Sequence, residues 1–191
     1  MPFLDHFSLM APHYDRWFKS TEPDKLTSLM DLPASGMVLD AGGGTGRVSQ
    51  LLQGLASSFV VGDESLGMLK QALLKDALMP VCTRTERLPF PDGLFDRIVM
   101  VDALHHVINS RQTAEELWRV LKSGGKIVIE EPDIRKFAIK LVALAEKIAL
   151  MRSHFLPADE ISHLFPHPQA KTRVEHDNHT VWVVIDKIYG D

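Results

Sequence analysis

Residues 38–46 read VLDAGGGTG, a short apolar run that leads into a loop containing four glycines. Glycine costs about 0.5–1 kcal/mol relative to alanine inside a helix or strand, so this loop needs bare backbone for a close approach. A helical pattern follows it, and a helix N-terminus presents free N–H groups to a ligand at the carboxyl ends of strands. The segment therefore predicts a site for a nucleotide-like ligand.

The residues around the loop narrow the choice of ligand. Arg47 stands where a dinucleotide fingerprint needs a small residue, and no lysine follows Gly46 as a phosphate loop requires. Asp40 precedes the first glycine by two positions, where a carboxylate repels phosphate and suits a cation. Asp63 ends the next apolar run and can accept hydrogen bonds from both hydroxyls of a ribose. S-adenosylmethionine (SAM) combines a ribose with positive charge and meets these demands.

Apolar strand-like runs alternate with helical patterns along most of the chain. Short apolar strands separated by helices indicate a parallel sheet covered on both faces, that is, a doubly wound α/β domain. The last part of the chain reads as two strands around Asp177–Asn178, which predicts an antiparallel hairpin. The predicted helix TAEELWRVLKSGG ends at Gly124–Gly125. The predicted strands are 36–42, 58–63, 79–83, 95–104, 126–132 and the two of the hairpin within 170–187.

Four segments in order resemble the class I SAM-dependent methyltransferases, and the pattern is nearest to the small-molecule enzymes of ubiquinone and menaquinone biosynthesis. They are VLDAGGGTGRVS, VVGDESLGML, RLPFPDGLFDRIVMVDALHHV and LWRVLKSGGKIVIEEP. The resemblance implies a Rossmann-like, mostly parallel seven-stranded sheet with a C-terminal antiparallel hairpin. It also implies SAM as cofactor, S-adenosylhomocysteine as product and a small-molecule methyl acceptor that is methylated on a quinone-precursor-like carbon or on a hydroxyl.

The resemblance also assigns cofactor-binding residues by position. Asp63 would hold the ribose, and Glu64 would flank the adenine, where the family more often has an apolar residue. Arg84 occupies a position where the family often has an acid for the adenine amino group, so Glu86 or a backbone carbonyl would take that contact. The expected cofactor-binding set is Asp40, Gly42, Gly44, Gly46, Asp63, Glu64, Thr85, Glu86 and Asp102.

Three side chains are candidates for the chemical step. His105 and His106 follow the fourth predicted strand, and an imidazole titrates near the pH that suits a general base. Tyr14 lies in an N-terminal segment that resembles the lid of the quinone-biosynthesis enzymes and would help to exclude water. We expect no metal, since adjacent histidines on a helix point about 100° apart and no third ligand is evident.

The whole chain, 1–191, is predicted to be a single methyltransferase domain. It divides into an N-terminal helical lid (1–32), a cofactor-binding core (36–133) and a covering helix with the hairpin (134–191). Apolar residues recur at helical spacing over 134–152 among basic ones, so this helix could contact an anionic membrane surface or simply cover the sheet with a solvated basic face. A monomer or a homodimer is expected.

Composition limits the other functions. The net charge of −4 and the pI near 6.1 give no overall attraction for nucleic acid, and no nucleic-acid partner is expected. Cys82 is the only cysteine, which excludes an intramolecular disulfide, and we expect it to be buried packing. The N-terminus lacks the apolar region of a signal peptide, and no apolar run is long enough to span a membrane, so a cytoplasmic location is expected.

Two other functions remain open from the sequence. The first is an NAD-dependent dehydrogenase, against which Asp40 and Arg47 argue. The second is a SAM-binding scaffold that is catalytically weak or inactive, which the unusual Glu64 and Arg84 leave open. Binding of NAD would identify the dehydrogenase, and binding of SAM without turnover would identify the scaffold.

Overall fold

The computed structural model describes residues 8, 10–17, 22–136, 139 and 153–190. Their strands form one seven-stranded sheet in the order β3-β2-β1-β4-β5-β7-β6. The first five strands are parallel, and β7 runs antiparallel to both β5 and β6, so the predicted architecture is confirmed. The strands are β1 (Met37–Ala41), β2 (Ser58–Asp63), β3 (Leu78–Cys82), β4 (Phe95–Val101), β5 (Leu121–Pro132), β6 (Ala170–Asp177) and β7 (Thr180–Lys187).

Helices cover both faces of this sheet. Alternate residues of each central strand point to opposite faces, so Val128 of β5 joins one apolar cluster while Ile127 and Ile129 join the other. The helices are α1 (Tyr14–Trp17), α2 (Pro23–Leu29), α3 (Arg47–Leu51), α4 (Leu66–Ala72), α5 (Ser110–Val120) and α6 (Ala158–His163), with 3-10 turns at Ala11–His13 and Leu104–His106.

The helix predicted to end at Gly124–Gly125 ends earlier. Asn109 caps α5 by accepting from the N–H of Gln112 at 3.0 Å, and the helix stops at Val120. β5 begins at the next residue, Leu121, which pairs with Phe95 before the register shifts. The two glycines therefore mark an irregularity within a strand, a role that a glycine pair plays as readily as a helix stop.

Two further expectations concern the edge and the surface of the domain. Cys82 is exposed, so its predicted burial is wrong, because β3 is an edge strand of the sheet that the described residues form. The predicted covering helix 134–152 lies mostly outside the described residues. Among the helices of the described ranges, none is long and apolar enough to cross a bilayer.

The parallel strands end at one common edge. β1, β2 and β4 end at Ala41, Asp63 and Val101, and β5 ends at Pro132. Ligands of open α/β sheets bind in the crevice beyond this carboxyl edge. The glycine loop lies at this carboxyl edge, and so do the predicted cofactor residues Asp63 and Asp102.

Candidate cofactor-binding and active site

The glycine loop needs bare backbone for two separate reasons. Gly42, Gly44 and Gly46 all have positive φ, at 69°, 54° and 70°, which side chains disfavour. A Cβ on Gly42 would lie 2.7 Å from the Cβ of Ala103, so the loop packs directly against the segment that follows β4. At Gly44 the nearest atoms to such a Cβ are 3.9 Å away, which leaves space on that side of the loop.

Asp63 joins the glycine loop to the next helix. Its Oδ2 accepts from the N–H of Gly44 at 2.9 Å, and its Oδ1 accepts from the N–H of Ser65 at 2.8 Å. Ser65 in turn caps α4. A carboxylate has about four acceptor positions and can accept from ribose hydroxyls as well as from backbone N–H groups. The side chain stands where the sequence places the ribose contact.

Asp40 lies beneath the loop rather than at its surface. Its carboxyl is buried and accepts from both the backbone N–H and the hydroxyl of Ser49, at 3.2 and 2.8 Å. Burial raises its pKa to about 6. A Cβ on Gly43 would lie 2.5 Å from the Asp40 carboxyl carbon. Asp40 therefore supports the loop from below and adds negative charge under it.

The two residues that depart from the family pattern on the predicted adenine side, Glu64 and Arg84, contact each other. The guanidinium of Arg84 lies 3.2 Å from the carboxylate of Glu64, and both side chains are exposed. The unusual acid after β2 and the unusual base after β3 thus form one surface ion pair.

The other two adenine-side candidates have protein partners. The hydroxyl of Thr85 is buried 3.1 Å from the hydroxyl of Thr113 on α5. Glu86 accepts from the N–H groups of Ile108 and Asn109 at 2.8 and 3.3 Å. Both side chains connect the loop after β3 to the start of α5, so their assignment to the adenine stays a prediction.

A buried carboxylate that the sequence analysis missed organises the segment after β4. Glu131 Oε1 accepts from the N–H groups of Ala103 and Leu104, at 3.1 and 2.8 Å. Its Oε2 lies 2.5 Å from Nδ1 of His105, and both side chains are almost wholly buried. The His105 ring also stacks on Phe155 with centroids 4.3 Å apart. Glu131 therefore sets the position of His105 and of the backbone that touches the glycine loop.

His106 has a different environment. Burial and the neighbouring His105 lower its pKa to about 3, so the ring stays neutral at physiological pH. Its Nδ1 lies 3.4 Å from the hydroxyl of Ser153. Asp102, just before this turn, has a φ of 50° and donates its N–H to the carbonyl of Glu130 at 3.0 Å. The turn after β4 thus holds an acid and two histidines in fixed positions.

The N-terminal segment, here called the strap and comprising the described residues of 8–17, is fastened to the same edge. Asp15 accepts from the hydroxyl of Thr45 in the glycine loop at 2.5 Å and pairs with Lys75 at 2.6 Å. Ser8 accepts from the N–H of Gly67 at 3.2 Å. Burial, aided by nearby carboxylates including Asp102, raises the pKa of Tyr14 to about 12. The strap places the Tyr14 phenol near the site, where the sequence predicts the lid.

The charge of this edge suits SAM. Asp40, Asp63 and Asp102 supply carboxyl groups, and Arg47 is a cation near Asp40 and the Tyr14 phenol. An ammonium and a sulfonium compensate such carboxyl groups, and the open side of Gly44 allows backbone approach. When bound, SAM supplies an activated methyl group.

The fold is a Rossmann-like α/β domain, and the candidate site lies in the crevice at the carboxyl edge of its parallel strands. Residues 39–129 match the family model described as "Methyltransferase domain". This match spans slightly less than half of the chain, so the chain is similar to that family over the central part of its sheet.

Among sequence relatives, the demethylmenaquinone methyltransferase of Corynebacterium urealyticum is 35% identical over 102 residues, covering 53% of this chain and 44% of the relative. The ubiquinone/menaquinone biosynthesis C-methyltransferase UbiE of Stenotrophomonas maltophilia is 36% identical over 104 residues, covering 49% and 41%. The chain spans about half the length of the curated relatives it matches.

Solved structures share the fold at low identity. A SAM-dependent methyltransferase from Thermotoga maritima superposes with a TM-score of 0.76 at 19% identity, over 95% of this chain and 97% of that one. The [4+2]-cyclase SpnF superposes with a TM-score of 0.71 at 16% identity, over 88% and 81%. The second neighbour is named for another reaction, so the fold alone does not define the chemistry.

Proposed function

We propose that this protein transfers the methyl group of SAM to a carbon or hydroxyl of a small oxygenated aromatic acceptor of the quinol type. The observation that carries the proposal is Asp63, whose carboxylate lies at the carboxyl edge and ties the glycine loop to α4. The named activities of the sequence relatives support the acceptor class.

Because the methyl group is already activated, the chain has to align the acceptor, exclude water and remove a proton where the acceptor carries one. The strap covers the glycine loop and excludes water. His105 takes the proton, and Glu131 orients its ring and stabilises the protonated form, as in other carboxylate–histidine pairs. His106, with a pKa of about 3, is a poor base at neutral pH.

Calorimetric titration with S-adenosylhomocysteine and SAM, beside NAD, tests the cofactor assignment. We expect both adenosyl ligands to bind and NAD not to. Asp63→Ala should weaken their affinity by about tenfold or more, since it removes hydrogen bonds to a charged group. Asp76→Ala, which changes an exposed aspartate before β3, is the matched control and should leave affinity unchanged.

A thermal melt of each variant shows whether the loss is local to the site. Equal affinity of wild type and Asp63→Ala would refute the cofactor site, and NAD binding would revive the dehydrogenase. Tight binding without S-adenosylhomocysteine formation on any phenol or quinol would favour a scaffold.

A further inference from the structure

Two buried polar atoms at the site have no hydrogen-bond partner. In the part of the chain that the structure describes, they are Glu130 Oε2 and Trp182 Nε1, the only buried side-chain nitrogen or oxygen atoms of this kind. Both residues are almost fully buried, at 1% and 2% exposure. Buried polar groups are nearly always paired, so two unpaired ones call for an explanation.

The two side chains are neighbours on one face of the sheet. Glu130 of β5 and Trp182 of β7 are direct partners in the antiparallel pairing. Side chains of directly opposed residues lie on the same face, with Cβ atoms about 4.5–5.5 Å apart. The side chains that carry the unpaired oxygen and the unpaired N–H are therefore direct neighbours on this face.

This pair lies at the ligand-binding edge. Glu130 is level with Val101, the last residue of β4, and its carbonyl accepts from Asp102. Asp102 and Arg47 act electrostatically on both the Glu130 carboxyl and the Tyr14 phenol. The strap thus already brings a phenol into the same charged surroundings.

We propose that Glu130 Oε2 and Trp182 Nε1 bind an oxygen substituent of the methyl acceptor. A hydroxyl satisfies both atoms at once, since it donates to a carboxyl oxygen and accepts from an indole N–H. The inference rests on the proposed function and names the part of the acceptor that the protein recognises. Because both side chains are buried, the acceptor reaches them only if a covering segment at this edge moves, and the strap, held by the polar contacts of Ser8 and Asp15, is the segment that would move.

Binding of 2-naphthol and of naphthalene, which differ by one hydroxyl, tests this recognition. With S-adenosylhomocysteine bound, we expect wild type to prefer 2-naphthol by about tenfold. Glu130→Met and Trp182→Phe should each abolish the preference, because each removes one hydrogen-bonding atom. Glu175→Met is the matched control, since Glu175 opposes Trp182 from β6 but pairs with Lys25, and it should keep the preference.

Stability gives a second readout that a merely structural glutamate would not produce. Burial and the nearby carboxyls of Asp102, Glu131 and Glu22 raise the pKa of Glu130 to about 8, while Arg47 opposes the shift. Ionisation is thus harder in the folded state, and Glu130 lowers stability as pH rises from about 4.5 to 8. Glu130→Met should therefore raise the melting temperature at pH 8 by several degrees, and less at pH 5.

The outcomes separate this inference from the proposed function. Loss of S-adenosylhomocysteine binding in wild type would overturn the proposed function. If S-adenosylhomocysteine binds normally, three results would overturn the inference alone. Wild type would bind neither 2-naphthol nor naphthalene, wild type would show no preference for 2-naphthol, or Glu130→Met would keep that preference. A lower melting temperature of Glu130→Met at pH 8 would also count against it.

Discussion

His105 and His106 are adjacent in sequence, yet the fold gives them different chemistry. The His105 ring is paired with Glu131 at 2.5 Å and stacked on Phe155. The His106 ring is buried next to another imidazole, which lowers its pKa to about 3. A base near neutral pH needs a partner that stabilises its protonated form, and the carboxylate of Glu131 lies 2.5 Å from the His105 ring.

Substitution of each histidine separates their roles. We expect His105→Asn to lower S-adenosylhomocysteine formation from a hydroquinone acceptor by about 100-fold or more, the usual range for a lost general base. His106→Asn should lower it by about threefold at most. Retained binding of S-adenosylhomocysteine shows that each variant is folded, and equal losses in the two variants would contradict the assignment.

The sequence contains the least information on which polar side chains bind other protein groups and which are available to a ligand. Thr85 and Glu86 follow the third strand, where the resemblance places adenine contacts, but they bind Thr113 and the start of α5. Glu130 and Glu131 are consecutive, so they point to opposite faces of the strand. Glu131 holds the turn after β4, whereas Oε2 of Glu130 has no hydrogen-bond partner. Sequence alone does not tell which face meets which partner.

The strap is a described part of the predicted lid, and it contacts the candidate site. Its Asp15 contacts both Thr45 of the glycine loop and Lys75, just beyond α4. Lys75 is mostly shielded from solvent, so this pair is less screened than an exposed one. The strap can therefore hold the crevice closed, and its opening should limit how fast a ligand leaves.

Weakening this fastening should speed ligand release. We expect Asp15→Asn and Lys75→Gln each to raise the dissociation rate of S-adenosylhomocysteine by about threefold to tenfold in stopped-flow experiments, which corresponds to an interaction of about 1 kcal/mol. Lys70→Gln, an exposed lysine on α4, is the control and should leave the rate unchanged. Unchanged rates in both strap variants would show that the strap does not gate the site.

Elements were predicted well where the pattern was long and periodic. The apolar runs at β1, β2, β4 and β5 lie in a sheet covered on both faces, which the sequence shows as nearly continuous apolar residues. The junction of α5 with β5 was misplaced because Leu121 continues the apolar helical pattern although it already pairs with Phe95. Such a junction depends on a partner strand that is distant in sequence.

At the scale of the whole molecule, the parallel sheet separates stability from function. Apolar clusters on both faces hold the strands together, while the loops after β1, β2, β4 and β5 collect at one edge. The turns at the opposite edge, such as the one around Gly93 before β4, contain none of the proposed site residues. A ligand at the carboxyl edge should therefore change the dynamics of one edge and leave the other alone.

Hydrogen exchange with and without S-adenosylhomocysteine measures this asymmetry. At a ligand concentration of about 100 times Kd, binding adds about 2.7 kcal/mol of stability, so amides that open only after ligand release should exchange up to about 100-fold more slowly. We expect this protection in 10–17, 42–47, 63–68 and 102–106. Amides of 92–94 open locally without releasing ligand and serve as the internal control. Protection at 92–94 equal to that at 42–47 would place the ligand elsewhere, because a ligand at the carboxyl edge cannot restrain a turn at the amino edge.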